Sequence, residues 1–86
     1  MPDPDLTVEE LATTLGTRVS TIRLYQREGL LARPQVRGRV AYYGSDHVDR
    51  LRQIARLQDR GFSLAAIRAL IETWERGGSL EDLLTD

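Results

Sequence analysis

The 86-residue sequence has no cysteine and no lysine, and a single histidine and a single tryptophan. Without cysteine there is neither a disulfide framework nor a thiolate ligand for a metal, and one histidine argues against a zinc site built from protein groups alone. No apolar run approaches the roughly 20 residues that span a bilayer. The N-terminal "MPDPDLTVEE" is acidic and lacks the apolar stretch of a secretory leader. A soluble cytoplasmic domain is therefore the expectation. At this length one hydrophobic core is only marginally sufficient, so close helix packing or a partner subunit should help.

Charge is present but unevenly spread. Residues 1–16 carry Asp3, Asp5, Glu9 and Glu10 and no base; residues 17–60 carry ten arginines against Glu28, Asp46, Asp49 and Asp59; residues 61–86 carry two arginines against five acids. The three blocks have charges of −4, +6 and −3, so the net −1 conceals a basic centre. A basic patch is the usual footprint of nucleic-acid binding. All twelve basic residues are arginine, which grips phosphate or guanine edges with a planar fork, although the missing lysine equally fits genomic base composition.

Helix signals are legible in the first third. Thr7 followed by Glu10 reads as a capping box, and Leu6 with Leu11 as a hydrophobic staple. A helix over Val8–Leu15 follows, with Val8, Leu11, Ala12 and Leu15 on its apolar stripe and Gly16 as its left-handed stop. A second helix begins almost at once in "STIRLYQREGLL", with Thr17 as its expected cap and Gly29 as its end. Two short helices joined at a glycine form a helix-turn-helix pattern. Val19, Ile22 and Gln26 fall on one side; with the Val19–Ile22 side facing the core, the helical wheel points Ser20, Leu24 and Arg27 away, with Thr21 beside them and Arg18, Arg23 and Tyr25 on the flanks. That face suits a DNA groove, where Leu24 can meet a thymine methyl or a sugar. Alternatively, Leu24 and Tyr25 pack on a neighbouring element and the arginines are merely solvated.

Residues 33–44, "RPQVRGRVAYYG", have no helical period. Pro34 stops a helix, Arg37-Gly38-Arg39 reads as a turn tip, and Val36 and Val40-Ala41-Tyr42-Tyr43 have strand propensity. A two-stranded hairpin with arginines at its tip results, suited to phosphate or minor-groove contact, or simply decorated for solubility. A third helix starts at Gly44 or Ser45, with Val48, Leu51, Ile54, Ala55 and Leu57 as its buried stripe up to Arg60-Gly61. Ser63 caps a fourth, whose Leu64, Ile67, Leu70, Ile71 and Trp74 lie at helical spacing, and Phe62 with Ile67 forms a second staple. After Gly77-Gly78, "SLEDLLTD" restarts a helix too short to stand alone. The expected fold is mainly α with a small β-hairpin wing: a winged helix-turn-helix of four helices plus the start of a fifth. The expected organisation is a disordered tail at 1–5, a DNA-binding domain at 6–76, and a linker with a helix start at 77–86.

The pieces "LTVEELATTLG", "TIRLYQREGLL", "GRVAYYGSDHVDRL" and "RGFSLAAIRALI", in this order and spacing, resemble the DNA-binding domain of the MerR family of transcriptional regulators over residues 6–74. The resemblance implies duplex DNA binding as a dimer, with the second helix in the major groove and the wing on the flanking backbone. Recognition-helix contacts then fall on Thr21, Arg23 and Tyr25, with Arg18 and Ser20 at the base-reading end. The family's wing commonly carries an arginine where this chain has Ala41, so Arg37, Arg39 or Tyr42 has to supply that contact. Leu24 stands where a second aromatic is frequent. Members continue into a long helix that pairs two subunits, so a homodimer is implied through a segment largely beyond Asp86. They act on RNA polymerase indirectly, by untwisting and bending a promoter. The alternatives are an excisionase-like DNA-bending factor, a stand-alone domain without effector control, and a protein-binding module on the same scaffold. The ten central arginines speak against the last.

Catalytic readings lack the residues they need. His47, between Asp46 and Val48, reads as a solvent-exposed residue at a helix start. No glycine-rich cradle follows a strand, and no serine–histidine–acid set suggests a nucleophile. No enzyme activity and no cofactor is expected.

Overall fold

The structure, a computed structural model, describes residues 4–77. The expected helix start at Ser79 and the first three residues of the expected tail lie outside the described residues. The order of elements is α1 (Val8–Leu15), α2 (Val19–Arg27), β1 (Gln35–Arg37), β2 (Val40–Tyr42), α3 (Ser45–Asp59) and α4 (Leu64–Glu75). Four helices and one hairpin make the winged helix-turn-helix that the sequence predicts.

Local chemistry explains most of the boundaries. Thr7 Oγ1 accepts the Glu10 amide at 3.2 Å while Glu10 Oε1 accepts the Thr7 amide at 2.9 Å, so two orphan donors of α1 are satisfied reciprocally. Gly16, at φ 64°, closes the far end. The turn into α2 departs from expectation. Thr17 does not cap α2; its amide donates to the Ala12 carbonyl at 3.0 Å and so completes the end of α1. The N-cap is Arg18, and no side chain caps α2.

The core draws on every helix. Leu11, Ile22, Leu30, Ile54, Ile67 and Ile71 are fully buried, so the turn after α2 is packed as tightly as the helices themselves. In α3 the buried stripe is Val48, Leu51, Ile54 and Leu57, but Ala55 is exposed, because a stripe that advances by threes winds around the helix and by the level of Ile54 has turned about 100° away from Ala55. Ser63 caps α4 by accepting the Ala66 amide at 3.1 Å.

β1 and β2 pair antiparallel with Gln35 opposite Tyr42 and Arg37 opposite Val40. The two-residue tip has positive φ at both positions, 55° at Gly38 and 73° at Arg39, which is the primed turn that matches strand twist. The base of the hairpin is fastened to the entry of α1 by mutual backbone bonds between Leu6 and Tyr43, at 3.0 and 2.8 Å. His47 reinforces this junction. Its Nδ1 accepts the Gly44 amide at 3.1 Å, which leaves Nε2 to donate to the Ala32 carbonyl at 3.1 Å, and its ring meets Tyr43 edge-on. The expectation of a solvent-exposed histidine is thus corrected: His47 is half-buried and ties three segments together, because its two ring nitrogens meet the Gly44 amide and the Ala32 carbonyl.

Candidate nucleic-acid interface

α2 is held to the body along one side, which decides what its other side can do. Ile22 is fully buried and Tyr25 is 8% exposed, with its hydroxyl donating to Gln58 Oε1 of α3 at 2.9 Å. One residue on, Gln26 Oε1 accepts the Tyr43 hydroxyl at 2.8 Å. Two tyrosine–glutamine pairs therefore bolt α2 to α3 on one side and to the end of the hairpin on the other. Tyr25 is consequently not on the flank where the helical wheel put it. It belongs to the core, because α3 offers its ring a packing surface and its hydroxyl an acceptor.

The opposite side of α2 presents Arg18, Ser20, Arg23 and Arg27, all exposed. Thr21 and Leu24 are half-buried, and Leu24 packs against the core cluster. None of the ion pairs among the described residues involves Arg18, Arg23, Arg27 or Arg39, so their charge is not spent on a neighbouring carboxylate.

The hairpin continues this surface. Burial pushes the Tyr43 phenol above its usual value of 10.0, with the Arg23 guanidinium acting in the opposite sense, so the charge of α2 is felt at the base of the wing. Strand alternation puts Arg37 and Tyr42 on one face, where the Arg37 guanidinium lies 4.3 Å above the Tyr42 ring. Arg37 also pairs with Asp5 at 2.8 Å. Arg39 extends from the tip, and Val36, at 65% exposed, leaves an aliphatic patch beside it. The structure thus brings Arg18, Ser20, Arg23, Arg27, Arg37, Arg39 and Tyr42 to exposed or half-exposed places on α2 and the wing, leaves Thr21 and Leu24 at the margin, and removes Tyr25 to the interior.

Sequence reasoning missed the side chains that hold this surface in place. The helical period puts Gln26 on the inner side of α2 with Val19 and Ile22, but neither its bond to Tyr43 nor that of Gln58 to Tyr25 was legible. Arg50 and Arg68, which bond the turn after α2, gave no local signal. Among the described residues, no group of three histidine or acidic side chains converges as a metal site, and no helix is long and apolar enough to cross a membrane.

Comparison with known proteins points the same way. The MerR HTH family regulatory protein pattern matches residues 6–74. The mercuric resistance operon regulatory protein of Pseudomonas fluorescens is 41% identical over 68 residues, which cover 78% of this chain and 47% of that protein. That of Bacillus cereus is 39% identical over 71 residues, covering 80% and 53% respectively. The HTH-type transcriptional regulator ZntR homolog of Haemophilus influenzae is 36% identical over 62 residues, covering 71% and 46%. The chain spans about half the length of these curated relatives, and no solved structure matches it. With the family pattern matching residues 6–74 and regulators 36% to 41% identical over 62 to 71 residues, the chain belongs to the MerR family of helix-turn-helix transcription regulators as a DNA-binding domain.

Proposed function

We propose that α2 lies in the major groove of duplex DNA and that the β1–β2 hairpin rests on the flanking backbone. The observation that carries this reading is the row of Arg18, Ser20, Arg23 and Arg27 on the outer side of a helix whose inner side is core. In this arrangement Arg18 and Ser20, at the helix start, meet base edges, while Arg23, Arg27 and Arg39 meet phosphates. Thr21 and Leu24 lie at the groove wall, where the exposed part of Leu24 can touch a thymine methyl or a sugar. Tyr25 takes no part, and Tyr42 acts by supporting Arg37.

The whole regulator, in this reading, is a homodimer whose two domains address two half-sites. Phosphate contacts fix each domain, so moving the pair relative to one another deforms the duplex between them and changes how RNA polymerase engages the promoter. A gel-shift series tests the interface. Arg23→Ala should weaken binding to every duplex by a similar factor, whereas substitutions of Arg18 or Ser20 should change which sequence is preferred. If all three variants bind like the wild type, the assignment of α2 fails.

A further inference from the structure

The turn after α2 is gripped by two arginines from far along the chain. Arg68 of α4 donates from Nε to the Glu28 carbonyl at 2.8 Å and from Nη2 to the Glu28 carboxylate. Arg50 of α3 donates to the Leu30 carbonyl at 3.4 Å, while its guanidinium lies 5.9 Å from the Trp74 ring and 3.9 Å from the Glu75 carboxylate. α4 therefore connects to the same short turn twice, directly through Arg68 and, from its C-terminal end, through Arg50.

Glu28 is the C-cap of α2. The last carbonyls of a helix lack intrahelical donors, and a cation there complements the helix dipole. The Glu28 carboxylate is misplaced by the same rule, because it adds negative charge to the negative end. One planar guanidinium answers both problems at once, taking the carbonyl and the carboxylate as a fork, which a lysine ammonium cannot do. At the other end, α2 has no side-chain cap. The helix is thus anchored at its C-terminus and left open at the end where Arg18 and Ser20 are presented.

Resting on the reading of α2 as the groove-reading helix, we infer that Arg68 is a positioning residue for sequence discrimination: it sets the seat of α2 by holding Glu28 and makes no contact with DNA itself. The Arg68 and Glu28 side chains are 38% and 44% exposed, so a direct phosphate contact is the rival role that a test has to separate.

The test uses the 86-residue chain and two labelled duplexes, one selected from a random-sequence pool by the wild type and one scrambled, with binding followed by fluorescence anisotropy across salt concentrations. Arg68→Ala should weaken binding to the selected duplex about threefold to tenfold, leave the scrambled duplex within about twofold, and leave the salt slope unchanged. Arg68→Lys and Glu28→Gln, which keep the fold if Arg68→Ala does not, should show the same loss of discrimination, and the double variant Arg68→Ala/Glu28→Gln should be no worse than either single. A direct phosphate contact would instead weaken both duplexes alike and make the slope shallower by about 0.9, with Glu28→Gln tightening binding. That result, or Arg68 variants that discriminate like the wild type, overturns the inference. A wild-type chain that binds no duplex removes the groove-reading assignment and this inference with it.

Discussion

Arg39 holds a backbone conformation that costs an L-residue about 1–2 kcal/mol through its Cβ. Primed two-residue turns favour glycine or asparagine, yet the tip reads Gly38-Arg39. Arg39→Gly relieves the clash but gives back part of the gain as unfolded-chain entropy, so stability in urea should hold or rise by up to about 1 kcal/mol. The same variant should bind DNA less tightly, with a salt slope shallower by about 0.9. Loss of both stability and affinity would mean that the tip needs the side chain for folding. Tyr43 gives a second residue-scale prediction. Its folded pKa lies above the unfolded 10.0, so its contribution to stability is complete below pH 10 and is lost as pH rises through the folded value. The urea midpoint should fall on crossing pH 10 upward, and Tyr43→Phe should flatten that fall. The exposure of Arg18, Ser20, Arg23 and Arg27 was legible in the sequence because Ile22 fixes the inner side of the wheel. For Tyr25 the sequence leaves two readings open, a groove flank or packing on a neighbouring element, and the structure takes the second; the wheel does not decide between them because the acceptor that does, Gln58, is 33 residues away.

At the scale of elements, caps and glycines announced themselves locally and were read correctly wherever one helix end did not depend on its neighbour. Thr7, Glu10, Gly16 and Ser63 act as their spacing predicts. Thr17 does not, since α2 starts one residue later, with the Arg18 carbonyl taking its first amides, and Thr17 closes α1 through its backbone instead. Thr7→Ala should cost about 1 kcal/mol, as the loss of an N-cap oxygen does, read as a shift in urea midpoint with the slope of the transition unchanged. Thr17→Ala should cost clearly less, because only its backbone is used. Equal costs for the two would contradict the cap assignment. The hairpin was predictable from Pro34 and the valines, but its attachment was not: the Leu6–Tyr43 bonds and the His47 junction join segments that no periodic pattern relates.

On the scale of the whole molecule, the net charge of −1 is a poor guide to how the protein meets a polyanion, because five of the ten central arginines, Arg18, Arg23, Arg27, Arg37 and Arg39, belong to α2 and the wing. With Arg23, Arg27 and Arg39 each displacing one counterion, the logarithm of the binding constant should fall with the logarithm of salt at a slope of about −2.7 for one domain. Two domains joined by a flexible linker on a duplex with two half-sites should approach twice that slope, and a slope near zero in either case would show that phosphate contact is not the source of affinity. The aromatic residues are also partitioned in space. All three tyrosines, Tyr25, Tyr42 and Tyr43, belong to α2 and the end of the wing, whereas the lone indole, Trp74, stands beside Arg50 at the far end of α4. Unfolding can thus be followed by two intrinsic fluorophores, one on each half, and superimposable tyrosine and tryptophan transitions would certify, without any label, that the reading helix and its scaffold melt as one cooperative unit.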